Sequence, residues 1–359
     1  MLQSNVADSK CATLSVATWN LLNFIEPPNA AYELYNILSA EEWQKKCAWV
    51  DAYVEDSLPD VIGFQEIFSI DALAERLAPY GYTLVAVDTP RCQHGYIYDS
   101  PVVGIASRLP IISVKPLMVS AELIAQMGLA ADFSFSRTPV VAEVMHPDFG
   151  MITFVVVHFK SRRAAPLTDN NAHNSVMQKE PAEKFAGKDL LAHQVRLGEW
   201  ASVIQRGSEA NCVVDFIAHR QVEHTNTLTQ PFHPMVVLGD FNEPLDCSTF
   251  RGINSTDILT DSWDLYRQLN VNTQCVRPPT HYYANKGSVL DYILVNAAFD
   301  HASPLGIATV TQYSCYDRHL INPIFALDSA STDHAIVKIT IEQPRISDEY
   351  RHNAREVGR

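Results

Sequence analysis

Short apolar runs recur along the whole chain: SVATW, DVIGFQ, YTLVAV, VVGIAS, VVAEVM, MITFVVVHF, MVVLGDF, LDYILV and AIVKITI. Their length, their Val and Ile content and the Pro, Gly, Asp or Ser residues that bound them predict strands. The last run alternates, with Val337, Ile339 and Ile341 on one face and Lys338, Thr340 and Glu342 on the other, so it predicts a strand with one polar face. MITFVVVHF is apolar throughout, the pattern of a strand covered on both sides. Helices interrupt the series. Ser39-Ala40-Glu41-Glu42 fits a capping box, with Trp43, Cys47, Val50 and Val54 following at helical spacing and Pro59 beyond the end. A shorter helix is expected from Ser69, burying Leu73 and Leu77. A longer one is expected over 188–206, with Leu190, Leu197, Ala201 and Ile204 in one stripe. Strands mixed with helices throughout predict one α/β unit over residues 1–343, with loops or insertions at 162–187 and 311–331. The charged stretch 344–359 reads as a tail outside the domain.

Composition narrows the partners. Of 359 residues, 47% are hydrophobic, ordinary for a folded soluble protein, and 19% are charged, somewhat sparse. There is no apolar run of the length a membrane helix needs, and the first residues lack a basic start and an apolar core, so neither anchor nor secretory leader is expected. Seven scattered cysteines without a CxxC pair suit free thiols in a reducing compartment, and a cytoplasmic location is the expectation. Basic residues are outnumbered 27 to 41, a net charge of −14. That balance argues against avid binding of duplex DNA through its phosphates, which calls for a basic surplus or stripe. No feature points to a protein partner.

The chemistry gathers at strand ends. Asn20 closes SVATWN, Glu66 closes DVIGFQE, His158 closes MITFVVVH, and Asp240 and Asn242 close VVLGDFN. Asp291 stands just before YILV, and Asp333-His334 just before AIVKITI. Any one of these reads equally well as a turn residue. Together they read as one site assembled from many strand ends. Strand alternation would bring Asp240 and Asn242 out on the same face.

The ordered set TWNLLNF, VIGFQEI, SRTPVV, VVVHFKSR, VVLGDFNE, SVLDYILV and STDHAIV resembles the endonuclease/exonuclease/phosphatase superfamily, from Val16 to about Ile341. TDH stands where the family pattern has SDH, and Thr332 keeps the hydroxyl. The resemblance implies a two-sheet β-sandwich flanked by helices, an α/β fold of four layers (α/β/β/α), with the site at one edge. It also implies hydrolysis of a phosphoester. Such a reaction needs a cation on the phosphoryl oxygens, an activated water and charge relief at the leaving oxygen. Glu66, Asn20 and Asp333 are the candidate ligands of magnesium, or of manganese in its place, as oxygen donors of the kind these ions take. Asp240 would orient or deprotonate the water, Asn242 donate to the developing oxyanion, and Asp291 fix a protonated His334. His158 matches the histidine that the family sets against the scissile group, and Arg137 the arginine aimed at a phosphate. Lys160 follows with Arg162 and Arg163, a basic cluster that is either a second phosphate contact or a solvated face.

The substrate stays open at this level, because the family reuses one core on many phosphoesters. The first expectation is a magnesium-dependent phosphodiesterase acting on nucleic acid, a nucleotide or another small phosphorylated molecule. A phosphomonoesterase or lipid-headgroup phosphatase is the alternative, and an inactive binding scaffold the second. Specificity is expected in the loops 23–39, 88–99, 162–187 and 311–331.

Overall fold

A computed structural model describes residues 11–165, 187–225, 233–254, 258–271 and 275–343. Two six-stranded sheets make the centre. The first runs Thr309–Tyr316, Ile336–Glu342, Thr13–Phe24, Val61–Ile67, Val102–Ser107, Thr83–Val85; the second runs Thr260–Asp261, Asp291–Val295, Met235–Asp240, Gly150–His158, Val140–His146, Ile111–Pro116. Each sheet has one parallel pair near its middle: Thr13–Phe24 with Val61–Ile67, and Gly150–His158 with Met235–Asp240. Parallel neighbours end at the same edge, so Asn20 registers with Gln65, next to Glu66, and His158 with Asp240. The antiparallel strand Asp291–Val295 begins where Met235–Asp240 ends, pairing Asp291 with Asp240. Register alone therefore brings polar residues from distant parts of the chain to one place.

Three apolar layers hold the sandwich. Between the sheets, Leu14, Val16, Val337, Ile339 and Ile341 meet Phe154, Val156, Val236, Leu238 and Ile293. Outside the first sheet, Trp19, Ile62 and Phe64 pack under the helices Ala40–Ser57 and Ile70–Leu77, with the Trp19 ring edge-on to Trp49 (5.3 Å) and Tyr53 (4.9 Å). Outside the second, Val155, Val157 and Phe241 pack under Val213 and Ile217 of the helix Gly187–Thr225. This is the four-layer α/β/β/α order. The alternation along residues 336–342 and the two-sided burial of residues 152–157 are the outcome their patterns predict. Ser39 caps its helix through a full capping box with Glu42. No helix among the described residues is long and apolar enough to cross a membrane.

Two expectations fail. The long helix continues to Thr225, and its expected stripe is not the buried one: Leu197 and Ile204 are exposed. The buried face instead carries Ser202, Arg206, Glu209, Ala210, Val213 and Ile217, because polar side chains on it have partners in the second sheet's loops. The stretch 311–331 is not a loop but lies over the strand Thr309–Tyr316 and two short helices, Arg318–Ile321 and Phe325–Asp328. That strand is a sheet edge with only its first residues buried, so it lacks the apolar run that marks the others. Most of 162–187, the Leu190 side chain and the tail 344–359 lie outside the described residues.

Gly239 sits inside a buried strand at φ +151, where a Cβ would meet the Val157 carbonyl oxygen at 1.9 Å. Backbone on the parallel neighbour cannot give way as a side chain does. Gly239→Ala should therefore destabilise the fold by about 3 kcal/mol or more in urea unfolding. Gly95→Ala, also left-handed (φ +56) but with nothing within 4 Å, should cost about 1–2 kcal/mol. Equal stability of the two variants would contradict this strand packing.

Candidate active site

The ends of Thr13–Phe24 and Val61–Ile67 are kinked. Leu22 (φ +49), Asn23 (φ +53) and Glu66 (φ +61) are left-handed non-glycine residues, and the pairing shifts register between Asn20 and Phe24. Such backbone is costly and persists where surrounding structure over-determines it, commonly at sites. Here the Glu66 carboxylate accepts the Asn23 N–H (3.0 Å) and the Asn20 amide (3.4 Å). Asn20 also donates to Asp240 (3.0 Å), while its Oδ1 accepts the Leu22 N–H (3.0 Å). One amide thus links the last acid of the first sheet to the last acid of the second.

Asp240 is the centre of the arrangement, with 1% of its surface exposed. Its Oδ1 accepts the Asn242 N–H (2.7 Å) and its Oδ2 the Asn242 side-chain amide (3.3 Å). The same Oδ2 lies 3.4 Å from His158 Nε2 and 3.8 Å from His334 Nε2. Asn242 reaches Asp240 through a left-handed turn (φ +57) beyond the strand end, not by strand alternation. Its amide also donates to the Phe159 carbonyl (3.0 Å). His334 Nδ1 holds Asp291 Oδ2 at 2.9 Å. Thr332 explains the TDH sequence: its hydroxyl donates to the Asn20 carbonyl (2.7 Å) and accepts the His334 N–H (3.2 Å).

These contacts push the titratable groups apart. Burial, with the Asp291 charge added, raises Asp240 above the usual carboxylate range despite His334 and its amide donors. Burial would by itself lower His334, but the Asp291 and Asp240 carboxylates outweigh it and hold the ring well above its ordinary value. His158 goes the other way, driven well down by burial and then by the charges of Arg137 and His334. The result is a cationic His334, a neutral His158 and an acid poised between them.

A cavity of about 670 Å³ opens over this group. Asp240, Asn242, His158, His334, Glu66, Asp333 and Arg137 all line it, with Arg162 and Arg163. Asn20 and Asp291 are fully buried behind that lining. Lys160 is not part of it: the side chain is half-buried, its Nζ 3.5 Å from Ser161 Oγ, and its backbone N–H is bound by Glu209 (2.7 Å). Of the basic cluster, the two arginines face the cavity and the lysine does not.

Three residues missed in the sequence support the site. Glu209 accepts the N–H groups of Ser136 (2.6 Å) and Lys160 (2.7 Å), fixing the two segments that carry Arg137 and His158. Arg206, 1% exposed, donates to Glu243 (2.7 Å) and to the Lys160 carbonyl (3.0 Å). Lys46, also buried, donates to the Ser331 carbonyl (3.1 Å); burial pushes it down to about 8 against the pull of Glu66 and Asp333. Only Lys46 carried a signal, a charge on an apolar stripe with Trp43, Cys47 and Val50; Arg206 and Glu209 share a partly polar face with Ser202 and Val213 that reads as solvated.

The donor set suits a hard divalent cation. Glu66 is held by neutral donors, and Asp333 is half exposed with its nearest charged neighbours imidazoles at 3.9–4.0 Å. Two carboxylates in one wet cavity, without a thiolate cluster, are the pattern for magnesium, which keeps several waters of its own. Asn20, as oriented, presents its amide N–H to the Glu66 and Asp240 carboxylates and its Oδ1 to the Leu22 N–H. The tightest donor groups are His281, Asp333, His334 and Asp240, Asp291, His334, each within 4.8 Å, with Glu66 outside both. A cation on Glu66 and Asp333 therefore needs water to complete its shell.

The sequence profile described as the Endonuclease/Exonuclease/phosphatase family matches residues 17–334. Solved structures similar to the fold include the human Nocturnin catalytic domain with bound sulfate anion, at 16% identity and a TM-score of 0.52, covering 92% of this chain and 94% of that one. A humanized D. rerio TDP2 aligns at 14% identity with a TM-score of 0.51, covering 92% and 98%. Truncated Caenorhabditis elegans TDP2 aligns at 13% with a TM-score of 0.52, again covering 92% and 98%. At these identities the likeness is one of fold. No curated protein matches the sequence. On the profile match across most of its length, and with this fold, the chain belongs to the endonuclease/exonuclease/phosphatase family, a group of metal-dependent phosphoesterases.

Proposed function

We propose that this chain hydrolyses a phosphodiester bond in a nucleotide, a nucleic-acid end or another small phosphorylated molecule, using magnesium or manganese. The observation that carries the reading is Asp240. It is a buried acid of raised pKa, in reach of two histidines of opposite protonation, in a cavity that also holds Arg137, Glu66 and Asp333. Glu66 and Asp333 would hold the cation, with Asn20 orienting Glu66. When bound, the cation draws charge from the phosphoryl oxygens and the leaving oxygen.

The chain's own groups divide the remaining work. Asp240 orients the attacking water and takes its proton as the new oxygen–phosphorus bond forms and the bond to the leaving oxygen breaks, the departing alkoxide taking a proton from solvent. His334, kept cationic by Asp291, stabilises the negative phosphoryl oxygens instead of acting as the base. His158, kept neutral, offers an N–H without adding positive charge. The Asn242 amide donates to Phe159 and Asp240, so it would have to release one of these bonds to serve a developing oxyanion. Arg137 supplies a planar fork for a phosphate oxygen pair. The phosphomonoesterase alternative uses the same groups and is favoured over a long-duplex substrate by the small cavity and the net charge of −14. An inactive scaffold would have no use for pKa values separated in this way.

Two outcomes test this. Against a panel of plasmid DNA, single-stranded DNA, RNA, dinucleotides, phosphoinositides and sugar phosphates, hydrolysis should appear with magnesium or manganese and vanish on chelation. Asp240→Asn and His334→Ala should each lower turnover about 10²–10⁴-fold while the protein stays folded. Turnover that persists under exhaustive chelation, or near-wild-type rates in either variant, would remove the mechanism. The second concerns duplex DNA. Among the described residues, the arginine and lysine side chains that line the cavity are Arg137, Arg162 and Arg163, and each phosphate neutralised contributes about −0.9 to the slope of log affinity against log salt. A slope of about −3 is expected for duplex binding by Asp240→Asn; one steeper than about −6 would point to an extended duplex tract.

A further inference from the structure

A second chamber of about 360 Å³ adjoins the phosphate cavity, lined by Asn23, Tyr32, Glu33, Tyr35, Asn36 and Arg163. Asn23, Tyr32 and Arg163 line both spaces, so the two form one continuous cleft divided by the Tyr32 ring. We infer that this chamber is a nucleobase subsite, so that the phosphoester taken by the chain carries a nucleoside on one side of its phosphorus. The inference rests on the phosphoester-hydrolase reading above and adds the substrate class.

The chamber is built, not incidental. Tyr32 follows the short strand Ala30–Ala31, which pairs with Ile97–Ser100 and joins the expected specificity loops 23–39 and 88–99 in a three-stranded sheet. Its backbone is fixed at φ +65 by an N–H donated to the Tyr98 carbonyl (2.6 Å), and its ring stands edge-on to Phe68 at 5.7 Å. A ring held through its backbone and against Phe68 is a wall whose use costs little entropy. The loop that follows is closed on itself: Ala31 N–H donates to the Asn36 carbonyl (3.1 Å), and the Asn36 amide returns to the Ala31 carbonyl (2.9 Å). That closed turn presents Tyr35, 82% exposed, over the chamber.

Charge decides what enters. The phosphate cavity sets Arg137, Arg162 and Arg163 beside the acids Glu66, Glu199, Asp240 and Asp333, which a bound cation would offset, whereas the side chamber offers one acid, Glu33, against one base, Arg163. A second phosphate gains little there. An uncharged aromatic group gains two tyrosine faces and a guanidinium, the surfaces on which bases stack without regard to sequence. Asn23 adds a buried Oδ1 with no partner among the described residues, an acceptor for a base or sugar donor. The volume lies within the range of roughly 300–1,000 Å³ typical of small-ligand sites.

The test is equilibrium dialysis of the full chain in magnesium buffer with AMP and with ribose 5-phosphate, ligand integrity being checked by chromatography. AMP should bind at least about fivefold more tightly, the lower end of one base–aromatic stack. Tyr35→Ala should weaken AMP about fivefold or more without changing ribose 5-phosphate, and Tyr35→Phe should keep the full preference, because the ring and not the hydroxyl stacks. Tyr35 is exposed, so both variants should fold. Equal affinities in the wild type, no binding of AMP, or a preference undiminished by Tyr35→Ala would overturn the subsite. The two readings fail separately. Hydrolysis of phosphodiesters without an AMP preference removes the subsite alone, and an AMP preference without hydrolysis of any phosphoester removes the hydrolase alone.

Discussion

Asp240 is 1% exposed, and an isolated carboxylate buried to that depth would neutralise itself or unfold the strand that carries it. What keeps it is a ring of partners drawn from both sheets. Asn20 comes from the first sheet, Asn242 from the turn beyond its own strand, His158 from the parallel neighbour, and His334 from just before the last strand. No local segment supplies this set. The site exists only when both sheets are formed and in register, so the fold and the chemistry are one constraint. Gly239 belongs to the same constraint, since a side chain there would separate the strands whose ends carry His158 and Asp240.

The parallel pairs explain why the polar residues meet at one edge. A parallel neighbour delivers its last residue beside the last residue of the next strand, whereas an antiparallel one delivers its first. Asn20, Glu66, His158 and Asp240 close parallel strands, and Asp291 opens an antiparallel one, so all five arrive together. The long helix Gly187–Thr225 then sets the loops. Glu209 binds the backbone of the segments around Arg137 and Lys160, and Arg206 clamps Glu243 next to Asn242. A buried ion pair of this kind does little for net stability but loses heavily when one partner is removed, which makes it a device for fixing geometry.

Most of the sheet framework was legible because strands buried on both faces read as unbroken Val and Ile runs, as residues 152–157 and 235–238 do. The edge strand Thr309–Tyr316 was not, because only its first residues are buried and its alternating Thr, Gln and Ser resemble a loop. The helix stripe misled for a physical reason. Leu197 and Ile204 lie on an exposed face, while the inward face is partly polar with partners that only tertiary structure supplies. Glu66, His158, Asp240 and His334 were named as site residues from strand ends and family motifs, and the structure brings them to one cavity. Lys160 was named with them but does not line that cavity; its backbone N–H is bound by Glu209 from the long helix, a contact invisible to local pattern. Lys46 hid as a single charge on an apolar stripe, and Arg206 on a partly polar face of the kind that sequence rules assign to solvent.

The central claim is that the strand ends of the two sheets hold one divalent cation beside a buried proton acceptor. Titration of the protein with manganese, followed by the loss of the free-ion electron paramagnetic resonance signal without any substrate, tests it most directly. The account predicts saturable binding to the wild type, weakened by Glu66→Gln and by Asp333→Asn about tenfold or more and left intact by Tyr35→Ala. Binding unchanged in both carboxylate variants would contradict it.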